Sequence, residues 1–181
     1  MSATAFSSLT IVLDELAHVV DRLSDQEFSG SAVAGVSGSV GGHVRHCLDH
    51  VRAFETGLAG RTIDYDTRER DTIVETDRTL AWSALVSSSR RLSAHSDTRL
   101  AQPVVVRTRL DAVNAPREVA SSIGRELSFV IAHTIHHDAM IALLVERHEG
   151  RASPGRHHLP EGFGFAPSTL ADRDEPLTCA L

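Results

Sequence analysis

The chain has 181 residues, the length of one ordinary domain, and its 41% hydrophobic content excludes a disordered tail. The net charge is −6, and every base is an Arg scattered among acids with no basic stripe, which argues against nucleic-acid binding. The longest apolar runs fall far short of the roughly 18 residues that cross a bilayer, and the N-terminus has neither the basic residues nor the apolar block of a signal peptide. Cys47 and Cys179 are too few and too distant for a disulfide framework, so a reducing, cytoplasmic setting is expected.

Leu9, Leu13, Leu16, Val20 and Leu23 recur at alternating steps of four and three, which predicts an amphipathic helix over 8–25. A small-residue stretch at 28–39 reads as a loop within one domain. A second helix is predicted from Ser39, as N-cap, to Gly57. Residues 60–72 are polar and rich in turn formers, and the capping-box spacing of Thr72 and Glu75 predicts a third helix to about Ser93. Trp82 is a core candidate on it, as is Phe129 on the next helix. The β-branched alternation at 103–111 reads as a strand, 114–116 as a turn, and 117–120 as a short partner strand. A fourth helix is predicted from Ser121 or Ser122 to about His148, before Gly150. In the Gly- and Pro-rich tail, 162–169 is aromatic enough to pack on the helices, and the last ten residues read as loose. The expectation is an all-α four-helix bundle at 1–170, with a short β-hairpin between helices three and four and a flexible tail at 171–181.

Eleven histidines are unusual for this length, and their clustering is what matters. His133 and His137 stand four apart on the fourth helix and so share a face from which both imidazoles reach one ion. His136 is turned about 100° from His137 and does not join them easily; Asp138, turned similarly, reads as a surface acid. On the second helix His43, His46 and His50 recur at steps of three and four, again on one side. Two helices aiming imidazoles inward suit a divalent transition metal such as Zn, Ni or Fe, and bundles often build such sites between facing helices. Cys47 reads as a small core residue. His157 and His158 lack a partner at ligand spacing.

The segments GGHVRHCLDH at 41–50, YDTRERDTIVETD at 65–77 and GRELSFVIAHTIHHDAMI at 124–141 resemble the DinB-like superfamily, over roughly residues 8–170. The resemblance implies a bundle of the up-down-down-up type holding a metal on three histidines. Its two ligands on the fourth helix fall on His133 and His137. Its ligand on the second helix falls on His46, with His50 and His43 as alternates or as groups supporting the ligands. The implied chemistry is activation of water or of a thiol, as a metal-dependent hydrolase or a transferase using a low-molecular-weight thiol. A non-catalytic metal-binding or stress-sensing protein is the other reading.

Glu126 lies on the same stripe as the histidine pair and is a candidate general base, or the partner of a nearby Arg. Tyr65, Arg68 and Arg70 sit in the loop that leaves the second helix, where Arg could grip a carboxylate or phosphate of a small-molecule substrate; Arg125 has similar standing. A homodimer is expected, since twofold dimers are the commonest oligomers.

Overall fold

A computed structural model describes residues 4–30, 37–67, 72–152 and 159–174. The N-terminal Leu stripe forms helix α1, Ala5–Arg22, whose first turn is capped by the Thr4 side chain accepting from the Ser7 amide. The helix expected to run to residue 25 stops there. Ser24 and Glu27 form a reciprocal capping box that starts a separate helix, α2, Asp25–Ser29. Helix α3, Val40–Gly60, begins at the Ser39 cap expected from the sequence and ends on Arg61 in the left-handed region, φ 60°.

Strand β1, Thr62–Asp64, follows at once. It is too short to show a period in the sequence and was not expected there. The expected third helix is two: α4, Thr72–Thr76, and α5, Arg78–Leu92. Asp77 is extended and its side chain accepts from the Leu80 amide, so it caps α5 and breaks the run. Glu75 is tied elsewhere, accepting from Arg45 Nε at 2.9 Å, with the same guanidinium on Asp49 at 2.9 Å. The hairpin is present as β2, Pro103–Thr108, antiparallel to β3, Arg117–Ser122, and β1 adds to it in parallel, giving the order β1-β2-β3. Helix α6 spans Ile123–Ala152, and α7, Pro167–Asp174, extends past the expected boundary at residue 170. Residues 175–181, with Cys179, lie outside the described residues, as do His157 and His158.

The fold is mostly helical with one small sheet. Helix α1 packs on α5 and α6, and α3 packs on α6 and α5, so the four long helices enclose one core. Phe6, Leu13, Val44, Cys47, Phe54 and Leu127 are among its fully buried side chains. Trp82 is not in it. Ala81 and Leu85 take the inward positions of α5, and Trp82, about 100° round from Ala81, is left 40% exposed. Phe163 is buried and Gly164 lies against α6, so the 162–169 segment does pack on the helices.

One expectation about membranes changes. Within α6, Ile123–Glu146 is long and apolar enough to cross a bilayer by length and composition, with a mean hydropathy of 1.4. Here it packs against α1 and α3 and carries the buried acids Glu126 and Asp138, which a lipid-facing span rarely holds.

The exit of α3 is close-packed at Gly57, where an added Cβ would overlap Ile63 Cγ1, whereas nothing stands within 4 Å of one at Gly60. Gly57→Ala should cost about 1–3 kcal/mol of stability through overpacking. Gly60→Ala should gain about 0.5–1 kcal/mol from lower unfolded-chain entropy. Urea unfolding of the two variants checks both signs.

Candidate metal centre

Steps of three and four put His43, His46 and His50 along one side of α3, and α3 packs against α6, which presents His133 and His137. Five imidazoles meet there. The His46 ring centroid lies 4.6 Å from that of His50, 4.9 Å from His133 and 4.6 Å from His137. The His133 centroid lies 4.0 Å from that of His50 and 4.8 Å from His137. His136 is exposed, with its ring 5.3 Å from that of His137 between centroids.

Within the cluster, one ligand atom each from His46, His50 and His133 lies within 4.8 Å of the others, a group able to hold a metal ion. The backbone helps to prepare it. His50 Nδ1 is 3.0 Å from the His46 carbonyl, and a carbonyl only accepts, so Nδ1 carries the proton and Nε2 the lone pair. His137 Nδ1 meets His43 Nδ1 at 2.9 Å, so one of these two rings must donate to the other. When His137 donates, its Nε2 carries a lone pair and His43 is its supporting acceptor. Burial, and then His43, His136 and His50, push His137 down to about 4; burial also lowers His43. Both are thus neutral at pH 7, the form that ligates metals.

The deep wall is aromatic. Tyr65 stacks on His50, with centroids 5.5 Å apart and planes 19° apart, and meets Phe129 edge-on at 5.1 Å. Phe129, the expected core residue, is half-buried and lies 5.6 Å from the His133 ring. Tyr65 is itself buried, and the Glu126 carboxylate lies beside its hydroxyl. Burial and that carboxylate hold the phenol well above the usual tyrosine range, so it stays protonated. Glu126 is 2% exposed; its Oε1 accepts from Ser121 Oγ at 2.6 Å and faces Arg125 Nη1 at 3.5 Å. Glu126 thus faces inward and has an Arg beside it. Arg125 in turn sits over the Phe129 ring, 5.4 Å from its centroid. The sequence marks Ser121 only as a start for the fourth helix, whereas it lies near the end of β3; as a partner of Glu126, a Ser five residues before a Glu across a strand-to-helix junction has no pattern to mark it. Arg68 and Arg70 lie outside the described residues.

Two further placements matter. Cys47 is fully buried, as expected, and burial pushes its thiol up. Asp138 is no surface acid: it is 2% exposed, because the face of α6 next to His137 turns toward α1. Burial, and then Glu15 of α1, hold its carboxyl well above the usual range. A cleft of about 590 Å³ beside α3 is lined by Asp49, Arg52, Asp64 and Arg107 among others, but by none of the imidazoles.

No family model matches the chain. It is 34% identical over 110 residues to FK506-binding protein 5 of Rhizopus delemar, a stretch that takes in 60% of this chain and 26% of that protein. The chain thus spans about a quarter of the length of that curated relative. Among solved structures it is similar to a DinB-like protein, YjoA, of Bacillus subtilis: TM-score 0.57 and 15% identity, over 85% of this chain and 98% of that one. At that identity the likeness is one of fold, and the chain has the DinB-like fold that its sequence resembles.

The depressed His137 value sets an acid limit. A neutral imidazole that ionises only near 4 when folded, against 6.5 when unfolded, stabilises the fold above 6.5 and loses that contribution as pH falls from 6.5 to 4. In metal-free protein, NMR of the histidine ring protons should place the His137 midpoint near 4, with stability declining over that window. A midpoint near 6.5 would show that the imidazole is not held in a desolvated cluster.

Proposed function

We propose that this DinB-like protein binds one divalent transition metal, Zn, Ni or Fe, between α3 and α6, and is a metalloenzyme that activates water or a low-molecular-weight thiol. The observation that carries the reading is the convergence of the His46, His50 and His133 ligand atoms within 4.8 Å. Three neutral imidazoles leave an ion its charge and its open positions, the pattern of catalytic rather than structural sites. An ion held there supplies Lewis acidity, lowering the pKa of a coordinated water or thiol and polarising a carbonyl.

The chain's own groups then have distinct tasks. His46 and His133 belong to the ligand set on either assignment. Geometry favours His50 as the third ligand, with its tautomer set by the His46 carbonyl. The family resemblance favours His137, supported by His43. Glu126, held by Ser121, fixes the Tyr65 hydroxyl, and Tyr65 fixes the His50 ring by stacking. Glu126 therefore orients the wall of the site and is the group proposed to accept a proton. His46, His133 and His137 are only half-buried, which gives a small-molecule substrate an approach from their side. The net charge of −6 and the scatter of Arg among acids support a partner other than nucleic acid. The exposed Ile73, Leu80 and Trp82 of α4 and α5 support a homodimer, and the sparse cysteines support a cytoplasmic setting.

A second reading has an observation behind it as well. With five imidazoles in reach, His137 or His43 could close the shell as a fourth ligand, which suits a non-catalytic or sensing metal.

Metal content of the purified protein, by inductively coupled plasma mass spectrometry, tests the reading. About one divalent ion per chain is expected, lost in His46→Ala and His133→Ala. Loss in His50→Ala with retention in His137→Ala would establish the geometric set, and the reverse would establish the set implied by resemblance. Loss in both, with a saturated four-nitrogen shell by X-ray absorption, would favour the non-catalytic reading. A wild-type protein that takes up no ion even on reconstitution would overturn the proposal.

A further inference from the structure

Arg125, Phe129 and His133 stand four residues apart and form one stripe along α6. Their contacts run in the same order. The Arg125 guanidinium carbon lies 5.4 Å from the Phe129 centroid, which lies 5.6 Å from that of His133. Those two steps put the guanidinium no more than about 11 Å from the His133 ring. All three side chains reach the surface. Phe129 and His133 are half-buried, and the Arg125 side chain is 64% exposed.

A long exposed side chain ordinarily samples many rotamers. This one is docked instead on an aromatic face that itself abuts the imidazole cluster. A guanidinium over a ring face keeps its in-plane N–H groups for a planar acceptor, and it is charged at any working pH. Its one ionic contact among the described residues is weak: Glu126 Oε1 stands 3.5 Å from Nη1 and already accepts from Ser121 Oγ at 2.6 Å. The rest of the fork is left to a ligand.

We propose that Arg125 is the substrate-recognition residue of the imidazole site, gripping the carboxylate of a small substrate whose apolar spacer crosses Phe129 and whose other end reaches the imidazoles. The inference rests on the metal reading above and adds the substrate class. A planar carboxylate matches the guanidinium fork with two parallel hydrogen bonds. One guanidinium also balances one negative charge, and the Glu126 carboxylate beside it disfavours the second charge of a phosphate.

The test loads the full chain with Co(II), whose d–d bands report an ion held by the imidazoles, and titrates it with 6-mercaptohexanoate or 6-mercaptohexanol. The two thiols match in length and differ in the charge of the far end, which stands too far along the chain to close a chelate ring on the ion. Both should change the cobalt spectrum. The carboxylate should saturate at about fivefold lower concentration, the scale of a charged hydrogen bond discounted for exposure. Arg125→Gln should keep the d–d bands of the unliganded protein and abolish the preference. If that variant takes up no cobalt, Arg125→Lys decides, with about a twofold or larger drop in preference expected from loss of the planar fork. Bands that never appear in the wild type would overturn the metal reading and this inference with it. Bands present with no response to 6-mercaptohexanoate, equal saturation by the two thiols, or a preference undiminished in the deciding variant would overturn this inference alone.

Discussion

The packing of α3 on α6 is the contact on which the rest of this molecule depends. Each helix alone carries a row of imidazoles that water would solvate singly. Brought together, five rings share one partly desolvated space, and burial there lowers His43 and takes His137 down to about 4. The charge of neighbouring rings adds to that effect at His137, which keeps its imidazole neutral and able to ligate at pH 7. The same packing buries Val44, Cys47 and Leu48 from α3 and Val130 and Ile141 from α6, so the hydrophobic core positions the polar cluster.

Around that contact the polar groups are arranged in layers. Thr134, on the buried side of α6, donates back to the Val130 carbonyl at 2.8 Å and so brings no unsatisfied hydroxyl into the core. Glu126 is held by Ser121 at the start of α6, where a carboxylate also suits the positive end of the helix dipole. Arg45 ties buried Asp49 to Glu75 and thereby fastens α4 to α3. These are partly buried, paired charges, whose removal singly would leave a partner exposed to a low-dielectric setting.

Much of this was legible in the sequence, and the failures have physical causes. The helical spacing of His43, His46 and His50, and of His133 and His137, groups each set on one face of its helix, because i,i+3 and i,i+4 neighbours share a face whatever else the helix does; the packing of α3 on α6 then brings the two sets together. Spacing along a helix does not fix how two helices rotate about their axes, so the choice between His50 and His137 could not be read from it. Asp138 went wrong for a related reason. An angle from His137 says that a residue faces elsewhere, and only the position of α1 turns elsewhere into buried. The break at Asp77 and the new start at Ser24 are local side-chain-to-amide bonds that compete with an apolar period and override it. Strand β1 is set by pairing with a partner far along the chain, which no local pattern announces.

That pairing bears on how the protein reaches its final state. Thr62 aligns with Val105, and the Val105 amide donates to the Arg61 carbonyl at 2.9 Å, so a loop containing all of α4 and α5 must close first. Contacts between segments so distant in sequence form late, because the entropy of loop closure is lost before the pairing repays it. Tyr65 follows β1 immediately. His43 and His137 stand 94 residues apart, so the histidine cluster closes a longer loop still, and both it and the aromatic wall beside His50 wait on contacts between distant segments rather than on the local helices.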